Sequence, residues 1–288
     1  QISDYDIKTF AVTQIDNNAC EQFYNYNLEK TITTTDLDTV YNNLDSLEKL
    51  LNNGDVAGVI MEAQALTVPE PGFLEGVRKI ATDNNIVLIL DECTSAFREA
   101  FGGLHKKYGV DPDMAVFSKA LGNGYAISAV IGIQEVMEAT QSTFISSTFW
   151  TERIGPTAAL KTVDVMEREK SWVQITEMGK RIGNRWKILA EKLDLPIEVG
   201  GIPALVNFNI PVENWLKYKT LITQEMLKRG FLASNSVYVC TEHEQKIIDQ
   251  YFENLNPVFA MIANCEAGRN IDDLLEVPVC HAGFKRLN

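Results

Sequence analysis

Between residue 56 and about residue 150, short apolar runs alternate with segments of helical period. The runs at 57–61, 86–90, 114–117 and 126–133 are apolar throughout. Between the first two, Phe73, Val77, Ile80 and Ala81 recur at intervals of four, three and one behind the turn Pro69-Glu-Pro-Gly72. Apolar strands joined through helices predict a βαβ unit within a parallel sheet covered on both faces. Residues 1 to about 55 are more polar, with strand-like stretches at 7–12 and 31–35 and a helical pattern through Leu44, Leu47 and Leu51. From Ile154 the chain turns strongly helical. Ile175, Met178, Ile182, Trp186 and Leu189, at intervals of three, four, four and three, make one apolar face of the kind that packs a core. Short strands at 197–199 and 205–210, a helix over 213–229 stopped by Gly230, a strand over 231–240 and a last helix over 244–264 complete the pattern. The prediction is an α/β fold: a large domain over 1–165 with a mostly parallel sheet flanked by helices, and a smaller α+β domain over 166–288.

The composition suits a globular chain of 288 residues, 45% hydrophobic and 23% charged. Its 26 Lys and Arg against 39 Asp and Glu give a net charge of −13, and no basic run exceeds Lys106-Lys107. That balance argues against nucleic acid or anionic membranes as partners. The apolar runs are far too short for a bilayer, which takes about 20 residues. Five scattered cysteines without a CxxC pair read as reduced thiols of a cytoplasmic protein. Three widely spaced histidines, with no Cys/His cluster, predict no metal. The chain opens on Gln1 with nothing resembling a signal peptide, and is expected to be a cut form or a piece.

In open α/β sheets, ligands bind beyond the carboxyl ends of the strands. Here the apolar runs are followed by Glu62, by Asp91-Glu92 and by Ser118-Lys119, which places two acidic ends and a lysine on one rim. A lysine there can attack a carbonyl and form a Schiff base once its pKa is lowered. Pyridoxal phosphate needs such a lysine, together with a carboxylate on its pyridine nitrogen. Asp91 and Lys119 supply that pair, and Gly122 and Gly124 after the lysine allow a tight turn beside a ligand. Taken singly, Lys119 reads equally as a surface lysine and Asp91 as a helix cap; their joint placement at successive strand ends favours the cofactor.

These residues lie within a longer resemblance. Asp91-Glu-Cys-Thr-Ser-Ala-Phe-Arg98, Phe101-Gly-Gly103, Gly109-Val-Asp-Pro-Asp113 and Ser118-Lys-Ala-Leu-Gly-Asn-Gly124 resemble the successive motifs of class-III aminotransferases, and most nearly those of the glutamate-1-semialdehyde aminomutase branch. Tyr41-Asn-Asn-Leu44 is similar to an upstream element of that family, and 149–160 to the segment leading into its C-terminal domain. The resemblance implies the second part of a type I pyridoxal-phosphate transferase large domain followed by the small domain.

It further implies Lys119 as the Schiff-base lysine and proton carrier, and Asp91 as partner of the pyridine nitrogen. Cys93 stands where the family packs an apolar residue on the ring, and Thr94 where some members place Gln near the phenolic oxygen. Ser147 and Thr148 resemble the pair that reaches the cofactor phosphate of a neighbouring subunit, which implies a homodimer with shared sites. Glu62 matches a Glu-Pro element, with Ala63 replacing the proline. Arg98 is read as a substrate contact or, at least equally, a structural ion pair. Trp150 and Arg153, where relatives carry a different sequence, shape either a substrate pocket or a subunit interface. His243 sits near an expected helix start and is not read as a base, and the tail from Cys280 is expected to dock or fray. Nothing matches the family's N-terminal portion, so the sheet is expected to expose an edge.

The function implied is amino transfer between a small-molecule amine donor and a carbonyl acceptor (keto-sugar, keto acid or semialdehyde). A 2,1-aminomutase is the first alternative. A truncated, non-catalytic structural subunit is the second.

Overall fold

The computed structural model describes residues 10–13 (backbone), 41–51, 56–64, 68–142 and 151–281. Ser147, Thr148 and Trp150 lie outside them, as do the expected strand at 31–35 and the start of the one at 7–12. The chain divides into two compact units, Gln1–Trp172 and Val173–Asn288.

The first unit is built on a five-stranded sheet: β1 Phe10–Thr13, β2 Gly58–Met61, β3 Val87–Asp91, β4 Met114–Phe117 and β5 Ala129–Gly132, in that spatial order. The first four strands run parallel, so the βαβ expectation holds for them. Helix α1 (Leu44–Leu51) precedes β2, and α2 (Phe73–Asp83) crosses from β2 to β3. Phe73, Leu74, Val77, Ile80 and Ala81 of α2 are buried with Leu47 and Leu51 of α1 against Val59, Met61, Leu88 and Leu90 of the sheet. Asp113 ties this layer together: its Oδ2 accepts from the Leu88 backbone N–H at 2.7 Å and from Arg78 at 2.8 Å.

Two expectations change. The fourth apolar run forms β5, but β5 is antiparallel to β4, because the connection carries only a 3-10 turn, Lys119–Leu121, and no crossover helix. The sheet is also closed less evenly than runs apolar on both faces imply, since β3 alternates buried and half-buried positions. β5 forms an edge that leaves Val130, Ile131 and the following Ile133 exposed. The unit also holds α3 (His105–Tyr108) between β3 and β4, and after β5 come α4 (Gln134–Met137) and α5 (Ile154–Glu169), whose first turn is capped by Glu152 accepting from the Gly155 N–H at 2.9 Å.

The second unit packs α6 (Ser171–Glu191), α7 (Trp215–Lys228) and α8 (Gln245–Glu266) with an antiparallel sheet of β6 (Glu198–Gly200), β7 (Leu205–Asn209) and β8 (Ser236–Tyr238). The expected apolar face of α6 is observed: Ile175, Ile182, Trp186 and Leu189 are buried and Met178 packs beside them. The strand expected over 231–240 is reduced to three residues, because it pairs only with Leu205–Asn207 of β7. At the centre, Phe208 meets Trp186 at 4.7 Å and Phe259 at 5.7 Å between ring centroids, and the Trp186 indole N–H donates to the Tyr251 hydroxyl at 3.0 Å. No helix of the described residues is long and apolar enough to cross a membrane.

Because Phe208 is fully buried among three other aromatic rings, Phe208→Ala should destabilise the second unit by about 3–5 kcal/mol, read from urea denaturation.

Candidate active site

The pairing of β3 with β4 sets the site. Asp91 lies opposite Val116 in parallel register, so the residues that leave the two strands, Glu92 to Arg98 and Ser118 to Gly122, emerge together on one rim. Met61, the last residue of β2, lies opposite Leu90, which brings the half-buried Glu62 to the same rim.

Lys119 stands at the first position of the 3-10 turn with φ of 44°, after an extended Ser118. A left-handed backbone on a residue with a Cβ costs on the order of 1–3 kcal/mol. The turn it opens is tight. A Cβ on Gly122 would stand 2.1 Å from the Tyr125 carbonyl oxygen, so only glycine fits there. Ser118 Oγ closes the loop by donating to the Ile127 carbonyl at 3.2 Å. From this position the exposed Lys119 extends across to the loop after β3, where its Nζ donates to Thr94 Oγ1 at 2.6 Å. The burial expected of this lysine is therefore not provided by the described residues around it.

That loop is itself ordered by side chains. Asp91 Oδ1 accepts from the Cys93 N–H at 2.9 Å, and Arg98 Nε donates to the Thr94 carbonyl at 2.6 Å. Arg98 is buried, and this bond accounts for a positioning role in the loop. Burial, then the hydrogen bond to Asp91 and its charge, push the Cys93 thiol up to about 11; Lys119 opposes the shift and Glu62 adds to it. Asp91, Lys119 and Glu62 thus all stand near enough to Cys93 to bear on its thiol.

A model of the aminotransferase class-III family matches residues 10–247. The chain belongs to this family. It is 33% identical over 217 residues to a 3-aminobutyryl-CoA aminotransferase of Cloacimonas acidaminovorans (strain Evry), covering 70% of this chain and 52% of that protein. It is 31% identical over 252 residues to a glutamate-1-semialdehyde 2,1-aminomutase of Nitrosopumilus maritimus (strain SCM1), covering 76% of this chain and 58% of that one. The chain thus spans a little over half the length of these relatives. Among solved structures, the PLP internal aldimine form of the FumI protein of Sphingopyxis sp. MTA144 superposes with a TM-score of 0.78 at 18% identity, over 93% of this chain and 68% of that one. An omega-transaminase from Sphaerobacter thermophilus gives 0.69 at 20% identity, over 78% and 56%. At these identities the two structures speak for a shared transaminase fold.

Within this class-III chain, Asp91, Cys93, Thr94 and Lys119 meet at the rim with Glu62 beside them, whereas Arg98 is turned into the loop. Sequence reasoning placed Tyr41 in an upstream element without a site contact; its hydroxyl donates to the Ala63 carbonyl at 2.9 Å, next to Glu62 in the chain. Burial first, then Tyr108 and the charge of Glu62, hold its pKa above the ordinary tyrosine value. It placed Glu92 with Asp91 at the rim, whereas Glu92 is buried and pairs with His105, 13 residues on, a pairing that sequence reasoning missed. The usable signal was a second carboxylate directly after Asp91 and a histidine one residue past the Gly102-Gly103 turn, after Leu104. His243 precedes α8, as expected, and its Nδ1 accepts from the Cys240 N–H at 2.9 Å.

With its pKa near 11, Cys93 should be about one part in a thousand thiolate at pH 8 and so nearly inert. Iodoacetamide labelling followed by peptide mapping should find Cys93 modified far more slowly than the exposed Cys240, with its rate still rising above pH 10.

Proposed function

We propose that the protein of which this chain is part transfers an amino group between a small-molecule amine donor and a carbonyl acceptor, using pyridoxal phosphate held at Lys119. The observation that carries this reading is the Lys119 Nζ contact with Thr94 on the loop leaving Asp91, at the ends of two neighbouring parallel strands. The residues present fit the cofactor: an exposed amine for covalent attachment, a carboxylate for the ring nitrogen, and a turn at Gly122 too tight for any side chain. Cys93 and Thr94 would line the ring, and Ser147 and Thr148 would reach the phosphate of a neighbouring copy in a homodimer.

When bound, pyridoxal phosphate supplies an electron sink for breaking a bond at the amine-bearing carbon. The protein supplies the rest. Asp91 keeps the ring nitrogen protonated through its charge. The Lys119 amine, released from Thr94, takes the proton from the donor carbon and returns it. Glu62, Arg98 and Trp150 are the residues proposed to bear on the substrate, Arg98 acting through Thr94. The scattered thiols suit a reducing, cytoplasmic setting.

Aminomutase chemistry is the second reading, favoured by the 31% identity to a relative of that name. The two readings separate on one mixture: an aminomutase isomerises its substrate with no added acceptor, and a transaminase stalls without one. The non-catalytic reading is disfavoured by the convergence of Lys119 with the loop of Asp91.

Borohydride trapping with pyridoxal phosphate, followed by peptide mass mapping, should place the adduct on Lys119, and Lys119→Ala should abolish it. An adduct spread over other lysines, or unchanged in that variant, would overturn the assignment. In the active enzyme, Asp91→Asn should lower kcat at least about 100-fold, measured by single-turnover absorbance.

A further inference from the structure

We propose that Glu92, His105 and Ser95 form a buried clamp that positions the Lys119 amine through Thr94; the clamp's meaning for amino transfer rests on the reading of Lys119 given above. Consecutive residues at a strand end point in opposite directions. Asp91 therefore serves the rim while Glu92 turns inward, where its side chain is 0% exposed. A carboxylate so placed persists only if it is paired and hydrogen-bonded. Glu92 Oε1 accepts from the His105 backbone N–H at 2.8 Å and lies 2.9 Å from His105 Nδ1, while Oε2 accepts from Ser95 Oγ. As the carboxylate is acceptor-only, Nδ1 is the protonated ring nitrogen. Burial opposes ionisation of Glu92, but its bonds from the His105 ring, Ser95 and the His105 and Leu104 backbone outweigh burial and hold it below the usual carboxylate range.

The clamp joins three segments. The Glu92 N–H donates to the Val116 carbonyl of β4 at 2.9 Å, close before Lys119. Ser95 immediately follows Thr94, whose hydroxyl receives the Lys119 amine. His105 opens α3 and closes the far end of the loop. Only glycine at position 103 leaves room for the imidazole, since a Cβ there would lie 2.3 Å from His105 Cε1 and 2.4 Å from Nδ1. Glu92, Ser95 and His105 are all buried, so they are positioning residues and not catalytic ones. Loss of the clamp leaves Thr94 held only through its carbonyl by Arg98, and the Lys119 amine loses a fixed acceptor at the Thr94 hydroxyl.

The test is competitive trace acetylation of the 288-residue chain, with Lys119 labelling read by mass spectrometry against the exposed Lys192 and Lys246. His105→Leu and Thr94→Val should each raise Lys119 labelling roughly tenfold, the size expected for a lost charge-assisted hydrogen bond. His105→Asn, which restores a donor at the Nδ1 position, should return it to the wild-type level. Wild-type labelling of Lys119 in folded His105→Leu, or in Thr94→Val, would overturn the clamp. If His105→Leu does not fold, Ser95→Ala removes only the Oε2 donor; a rise in Lys119 labelling supports the clamp, and none overturns it. Cofactor trapping run in parallel separates the two proposals. A labelling shift without a Lys119 adduct sinks the transaminase reading alone, and an adduct without the shift sinks the clamp alone.

Discussion

The backbone register between β3 and β4, with Asp91 opposite Val116, is the constraint on which the rest of the site depends. Two parallel strands in hydrogen-bonding contact lie about 4.8 Å apart, so whatever follows them starts from adjacent points and faces the same way. A carboxylate ending one strand and a lysine two residues beyond the end of the other are thereby held within one ligand's reach before any side chain chooses a rotamer. Asp113 reinforces this from the opposite end of the strand pair, where its carboxylate accepts from the Leu88 N–H and draws the start of β4 onto β3. A slip of one residue in this pairing would turn Asp91 inward and Glu92 outward, exchanging the rim carboxylate with the buried one.

The loops then refine what the sheet provides. Lys119 occupies a left-handed conformation at the head of a turn closed around Gly122, and its amine rests on Thr94. Thr94 is held from behind by Arg98 and from both sides by groups anchored on Asp91 and Glu92. Backbone strain at Lys119 is thus offset by a rigid surround, the arrangement found where geometry at a functional group matters more than local comfort. The second unit contributes a separate aromatic core around Phe208 and Trp186, which stabilises its own fold without reference to the rim.

Much of this was legible in the sequence because burial and period leave direct traces. The runs at 86–90 and 114–117 coincide with β3 and β4 to within a residue, and Phe73, Val77, Ile80 and Ala81 form the buried face of α2. The direction of β5 was not legible, since an apolar run carries no polarity; only the short connection through Lys119–Leu121 reveals it. The length of β8 depended on its partner, not on the composition of 231–240. At the site, residue types were readable and contacts were not. The sequence carried no sign that the Arg98 Nε donates to the Thr94 carbonyl, since that contact depends on how the loop folds back. His105 looked isolated because its partner, Glu92, is close in space and not in sequence.

In the proposed site, one rim of the sheet brings Lys119 and Asp91 to a single cofactor. A crystal structure of this chain grown with pyridoxal phosphate tests it most directly. Electron density should run continuously from Lys119 Nζ to the cofactor, with the ring nitrogen within hydrogen-bonding distance of the Asp91 carboxylate. Density on another lysine, or a ring nitrogen directed away from Asp91, would contradict it.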